Sequence, residues 1–312
     1  MLIYAARRLF GLVPLLFVVV LLAFVANLLT PGDPVLMMLG VRSGDAELMR
    51  SLRHQYGLDQ PLWRQFVAYL WGVCRGDFGF SYRLVGVPVL EVIKDGLRIS
   101  PVLALAALTL AIPVGVSLGT FAALRRNTWP DTGVMVALIA GISVPNFAMA
   151  AFLVYLFSIR LGLLPVAGWG TLRQAVLPVL LLALHPSAYL ARLSRTYMLE
   201  VLRQDYVRTA RAKGLPETLV VYRHALRNTL VPLLTTIGII FGGLLSGTFV
   251  VETIFNLPGL GSLAIQAIFA RDYPVTLAIV VLFTVFYAGI NLLVDLLYRL
   301  IDPRIRLETA PS

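Results

Sequence analysis

Gln204-Asp205-Tyr206-Val207-Arg208-Thr209-Ala210-Arg211-Ala212-Lys213-Gly214-Leu215 is a basic, polar, helix-forming stretch set between apolar runs long enough to cross a bilayer. Good helix formers run from Glu200 to Lys213, and Gly214 suits the left-handed residue that ends a helix. Arg211 and Lys213 sit at the carbonyl end, where cations are favoured. Pro216 and Glu217 then open a second short helix leading to the next apolar run near Asn228 and Pro232. The spacing predicts a helix, a sharp bend and a helix outside the lipid. Such a finger on a membrane protein is placed to be moved by something else.

Composition reaches the membrane independently. Of 312 residues, 59% are apolar and 13% charged, and the apolar residues are clustered rather than dispersed. Runs of the roughly 20 residues needed to span a bilayer lie near 9–29, 99–123, 132–159, 174–191, 229–251 and 274–298. The expected fold is all-α: a polytopic membrane protein with six transmembrane helices and a partly helical external region between helices 1 and 2. The first run exceeds the roughly 7–15 residues of a signal-peptide core and has no small-x-small site after it, so it is expected to stay as helix 1. Three segments follow: 1–94, the first helix and external region; 95–302, the remaining transmembrane core with the finger at 200–227; and 303–312, a tail.

Arginines near the span ends orient the chain. Arg7 and Arg8 precede helix 1, Arg125 and Arg126 follow helix 2, eight Lys or Arg lie from Arg192 to Arg227, and Arg299, Arg304 and Arg306 close the chain. With six spans all four clusters fall on one side, which makes both termini cytoplasmic. Residues 30–98 also hold eight Lys or Arg, but with seven Asp or Glu, and segments beyond about 60 residues escape the rule. The net charge of +10 thus describes topology and contact with membrane lipid, and no aromatic-studded basic domain points to nucleic acid.

Other chemistries lack their residues. One cysteine, Cys74, rules out an internal disulfide and reads as a packing residue. His54, His185 and His224 have no metal-ligand spacing. The two lysines, Lys94 and Lys213, are followed by Asp95 and Gly214, so neither belongs to a Walker A loop; ATP, if used, is bound by another chain. An intramembrane serine protease would have only Ser246-Gly247 and His185, with Leu244 where the motif needs glycine. A lone channel or ion-coupled transporter would show midplane carboxylates or internal repeats, and neither is evident.

In the external region, Leu48, Leu52 and Tyr56 give helical spacing over 46–56, and Pro61 opens a helix whose Trp63, Phe66, Val67, Leu70 and Trp71 form one apolar or interfacial face. Asp33, Asp59 and Asp77 read as turn and cap residues. Within the spans, Pro113, Pro145, Pro178, Pro186 and Pro232 read as kinks. Ser143, Asn146 and His185 place polar side chains beside two of these and are the candidate pathway-lining residues. Gly115, Gly119, Gly242, Gly243 and Gly247 would allow close helix contact, and Asp295 would pair with Arg299 one turn on.

The finger resembles the cytoplasmic coupling loop of ABC importer permeases in the version found in the dipeptide, oligopeptide and nickel family, where Asp-Tyr-Val-Arg-Thr-Ala-Arg-Ala-Lys-Gly-Leu is the pattern. Gly32-Asp33-Pro34, Gly76-Asp77-Phe78-Gly79, Val144-Pro145-Asn146-Phe147, Pro258-Gly259-Leu260-Gly261, Arg271-Asp272-Tyr273-Pro274 and Asp302-Pro303-Arg304-Ile305-Arg306 agree in order along almost the whole chain. The first two are similar to the B-type member of the permease pair. The resemblance implies a type I importer fold in a bacterial or archaeal inner membrane and di- or oligopeptide transport, with nickel complexes, glutathione or oligosaccharides as alternatives. It implies a C-type permease partner, two ATPase subunits carrying ATP and Mg, and an external solute-binding protein facing residues 30–98. No cofactor is implied on this chain. The ATPase-coupling residues would be Asp205, Tyr206, Arg208, Thr209, Ala210, Arg211, Lys213, Gly214 and Leu215.

Overall fold

The computed structural model describes residues 2–30, 32–39 and 45–301. The chain is helical, and the isolated bridge between Phe80 and Pro88 is the only β pairing among the described residues. It divides into two compact units: Met1–Ser100 with Pro258–Ala288, and Pro101–Leu257 with Gly289–Ser312.

The first unit holds α1 (Leu2–Leu29), α2 (Pro34–Leu39), α3 (Ala46–Gln55), α4 (Leu62–Cys74) and the start of α5 (Val89–Leu124). Its core gathers Val20, Phe78, Val89, Ile93, Leu260 and Ile279, with Phe66, Tyr69 and Leu70 of α4 against it. Phe66 meets Phe17 and Phe24 of α1 edge-on, with ring centroids at 5.7 and 5.3 Å. The face expected on α4 is therefore two faces. Phe66 and Leu70 turn inward, while Trp63, Val67 and Trp71 are more than half exposed and suit a membrane boundary. Helix α3 forms as expected: the Asp45 side chain caps it by accepting from the Glu47 and Leu48 amides, and Leu48, Leu52 and Tyr56 pack with Val35 and Leu39.

The second unit holds the rest of α5, then α6 (Trp129–Ser143), α7 (Asn146–Leu153) with a π-helical extension Val154–Arg160, α8 (Leu172–Val201), α9 (Asp205–Ala212), α10 (Glu217–Leu219) with a π segment Val220–Ala225, and α11 (Leu226–Ile254). Helix α12 (Leu260–Phe269) belongs to the first unit, and α13 (Tyr273–Ile301) ends the described chain. Gly115 and Gly119 lie directly against α8: a Cβ on Gly115 would come 2.7 Å from the Ser187 carbonyl oxygen, and one on Gly119 would collide with that of Ala191. A Cβ on Gly243 would meet nothing within 4 Å; the surroundings of Gly247 lie outside the described residues.

Among the described residues, four helices are long and apolar enough to cross a membrane, or five if one bent pair counts as a span; α1 adds a shorter apolar stretch, Val13–Leu29. The third of the six expected spans is not one straight helix. It breaks between α6 and α7 with a bend of 103°. Pro145 forces Val144 out of the helical region, to φ −83° and ψ 125°, and the chain re-enters a helix at Asn146. Pro113, Pro178, Pro186 and Pro232 stay inside continuous helices. The side chains of Asp295 and Arg299, and the tail 303–312, lie outside the described residues.

Candidate functional site

The finger differs from its expected form at its start. Helix α8 runs through Glu200 to Val201, the chain turns over 202–204, and a separate α9 begins at Asp205 with Gln204 as N-cap. Good helix formers crossed this boundary in the sequence, so propensity alone predicted one helix. Packing decided otherwise. Val207 and Ala210, three residues apart on one face of α9, are buried against Val220, with Val201, Leu202 and Leu215 closing the cluster.

At its other end the finger behaves as expected. Gly214 takes φ +74°, its amide bonds to the Arg211 carbonyl, and Pro216 caps α10 in extended geometry. The π segment Val220–Ala225 then delivers the chain into α11. π turns are rare in helices and frequently sit at functional sites.

Burial on one face leaves the other free. Asp205, Tyr206, Arg208, Thr209, Arg211, Lys213 and Gly214 are exposed, whereas Ala210 is buried and Leu215 half-buried. Those last two anchor the finger rather than present a surface. Arg211 is tied to Glu217 across the bend by hydrogen bonds of 3.1 and 2.6 Å, which hold its guanidinium pKa above the ordinary value. Arg208 lies 3.6 Å from Asp205. Partial burial pushes the Tyr206 phenol up, with a hydrogen bond to Asn228 acting the other way.

The candidate pathway residues lie on three helices, Ser143 at the end of α6, Asn146 at the start of α7 and His185 within α8. The Ser143 hydroxyl donates to the Ile139 carbonyl of its own helix. Asn146 opens α7 at the bend and keeps a buried Oδ1 with no partner among the described residues. His185 is half-buried on α8.

Two of the buried carboxylates, Asp131 and Asp272, have distant partners that the sequence reading did not assign. Asp131 is 3% exposed and takes Arg195 of α8 in a two-pronged pair, 2.7 Å on each side, while accepting from the Asn127 amide at 3.0 Å. In the first unit, Asp272 is equally buried. It accepts from the Ser81 hydroxyl and from the Tyr82 and Arg83 amides. Both aspartates stand at helix starts within two residues of a proline, which in a sequence reads as capping; their partners lie 64 and about 190 residues away, beyond any local pattern. Asp33 and Asp77 do act in turns, accepting from the Val35 and Gly79 amides, and Asp33 also pairs with Arg53. Asp59 is bonded at 2.8 Å to His54, which lowers its carboxyl pKa. Gly32, Asp33, Asp77, Phe78 and Tyr273, from three separate motifs, meet around one cavity of about 740 Å³ in the first unit.

Residues 1–94 match the N-terminal model of binding-protein-dependent transport system membrane components, and residues 115–307 match the inner membrane component itself. The chain is 42% identical over 306 residues to the glutathione transport system permease protein GsiC of Shigella flexneri, covering 98% of this chain and 99% of the relative. It is 43% identical over 310 residues to a "Putative peptide transport system permease protein" of Brucella abortus, covering 97% and 98%. Among solved structures it shares the fold of a chain of the MetNI methionine ABC transporter in inward-facing conformations, at TM-score 0.59 and 16% identity over 68% of this chain and 97% of that one. An amino acid ABC transporter solved with histidines gives TM-score 0.51 at 20% identity, over 67% and 94%. The apolar helices, the finger and these matches agree, and the chain belongs to the inner membrane components of binding-protein-dependent transport systems, as an ABC importer permease of the peptide family.

Proposed function

We propose that this permease forms half of a translocation pathway for di- or oligopeptides, the other half coming from a related C-type permease. Both termini and the finger face the cytoplasm, and residues 30–98 face an external solute-binding protein. The observation that carries this reading is the two-sided finger: an apolar face clamped by Val207, Ala210 and Val220, and a polar face of Asp205, Tyr206, Arg208, Thr209, Arg211 and Lys213 turned outward. Clamping passes a push on α9 to α8 and α11, because Val201 at the end of α8 and Val220, on the π segment that runs into α11, share the same cluster. Closure of the ATPase subunits would thereby switch the bundle between inward and outward opening. ATP and Mg belong to those subunits. Relatives named for peptide and for glutathione transport agree with a peptide cargo, glutathione being itself a small peptide.

Two measurements test the reading. The purified chain alone is expected to hydrolyse no ATP, and to support hydrolysis and peptide uptake only when reconstituted with its ATPases, partner permease and binding protein. Hydrolysis that persists in the isolated chain after contaminant controls refutes it. Reporter fusions after Arg126 and Lys213 should read cytoplasmic and one at Asp59 external; an external Lys213 overturns the orientation.

A further inference from the structure

Where α5 ends and α6 begins, the turn over 125–128 and the end of α8 border an open cavity of about 460 Å³ lined by Arg126, Arg195, Thr196, Glu200, Arg203 and Gln204. Three guanidinium groups face one carboxylate. Arg195 is held in place by Asp131 behind it, whereas neither Arg126 nor Arg203 has a carboxylate within ion-pairing distance among the described residues. Arg126 and Arg203 thus line the same concave site as the fixed Arg195. That arrangement matches a phosphate.

Its surroundings are those of a bilayer boundary. The same turn is flanked by Phe121 and Leu124 on α5, 44% and 45% exposed, and by Trp129 at the start of α6, 85% exposed. Exposed indole and apolar side chains next to arginines are what an amphiphile meets at the headgroup level. Gln204, in the cavity wall, is also the N-cap of α9, so an occupant would touch the base of the finger.

We propose that this cavity binds the phosphate headgroup of an anionic phospholipid, with the acyl chains along Phe121 and Leu124, and that the bound lipid braces the root of the coupling finger. A membrane-adjacent arginine adds attraction for anionic lipid, so removing two should weaken retention on the order of thirtyfold.

The test uses the purified full chain in neutral detergent, titrated with phosphatidylglycerol, cardiolipin or phosphatidylcholine and followed by native mass spectrometry. Wild type should retain the anionic lipids over phosphatidylcholine. Arg126→Gln/Arg203→Gln should lose that preference, and the charge-matched control Arg83→Gln/Arg173→Gln should keep it. Equal retention by the cavity variant and the control overturns the proposal. Displacement of the lipid by inorganic phosphate or by ATP overturns it too, since the site would then be one for free anions. Circular dichroism of the cavity variant guards against misfolding, and a salt titration of wild type gives a second measure: retention insensitive to salt would also count against an arginine–phosphate site. No ATPase is present, so the result is independent of the uptake experiments.

Discussion

Replacing Gly214 by valine is expected to reduce peptide uptake by roughly tenfold or more while leaving the permease in the membrane at its normal level. Gly214 sits at φ +74° with nothing within 4 Å of where a Cβ would lie, so the cost is one of backbone conformation alone. It amounts to about 1–2 kcal/mol for a residue with a Cβ in the left-handed region, and β-branching makes valine a poor occupant. A small penalty matters here because the finger is held by a small cluster, and local elements open at free energies well below global unfolding. Loss of about 1.4 kcal/mol already shifts such an opening tenfold. Asparagine tolerates positive φ, so Gly214→Asn should keep most of the uptake. Transport by reconstituted vesicles and ATPase co-purification, measured on both variants, check this. If Gly214→Val imports peptide normally, the bend transmits nothing and the finger is a surface anchor.

What could be read in the sequence, and what could not, follows from the range of the forces involved. Gly214 and Pro216 were legible because their backbone restrictions are local. The break at Val144-Pro145 was half legible: proline predicted a kink, but the 103° turn depends on how α6 and α7 each find partners. The division between Val201 and Asp205 was invisible, since helix propensity runs across it and only the burial of Val207 and Ala210 sets the direction of α9. On the finger, composition marked the segment but not its two sides, and so Ala210 and Leu215 were grouped with residues that face outward. The partners of Asp131 and Asp272 were missed for the same reason. A carboxylate before or in the first turn of a helix looks like a cap, and the groups that neutralise it are far away in sequence.

The Asp131–Arg195 pair leads to the second large effect. Arg195→Leu leaves Asp131, whose side chain is 4% exposed, without its guanidinium, and removing one partner from a buried pair costs about 3–5 kcal/mol. The Asn127 amide still donates to the carboxylate and the charge of Arg126 still acts on it, but neither replaces two charged hydrogen bonds. The double variant Asp131→Leu/Arg195→Leu should lie much closer to wild type, since exchanging a whole buried pair for apolar side chains is often neutral. Denaturant midpoints of the detergent-purified chain, with single and double variants forming a cycle, separate the two cases. A strong coupling energy means that charge neutralisation fastens the start of α6 to α8, the helix that leads straight into the finger. Weak coupling, with Arg195→Leu costing under about 1 kcal/mol as exposed pairs do, would mean that solvent reaches Asp131 and that the contact of α6 with α8 rests on apolar packing instead.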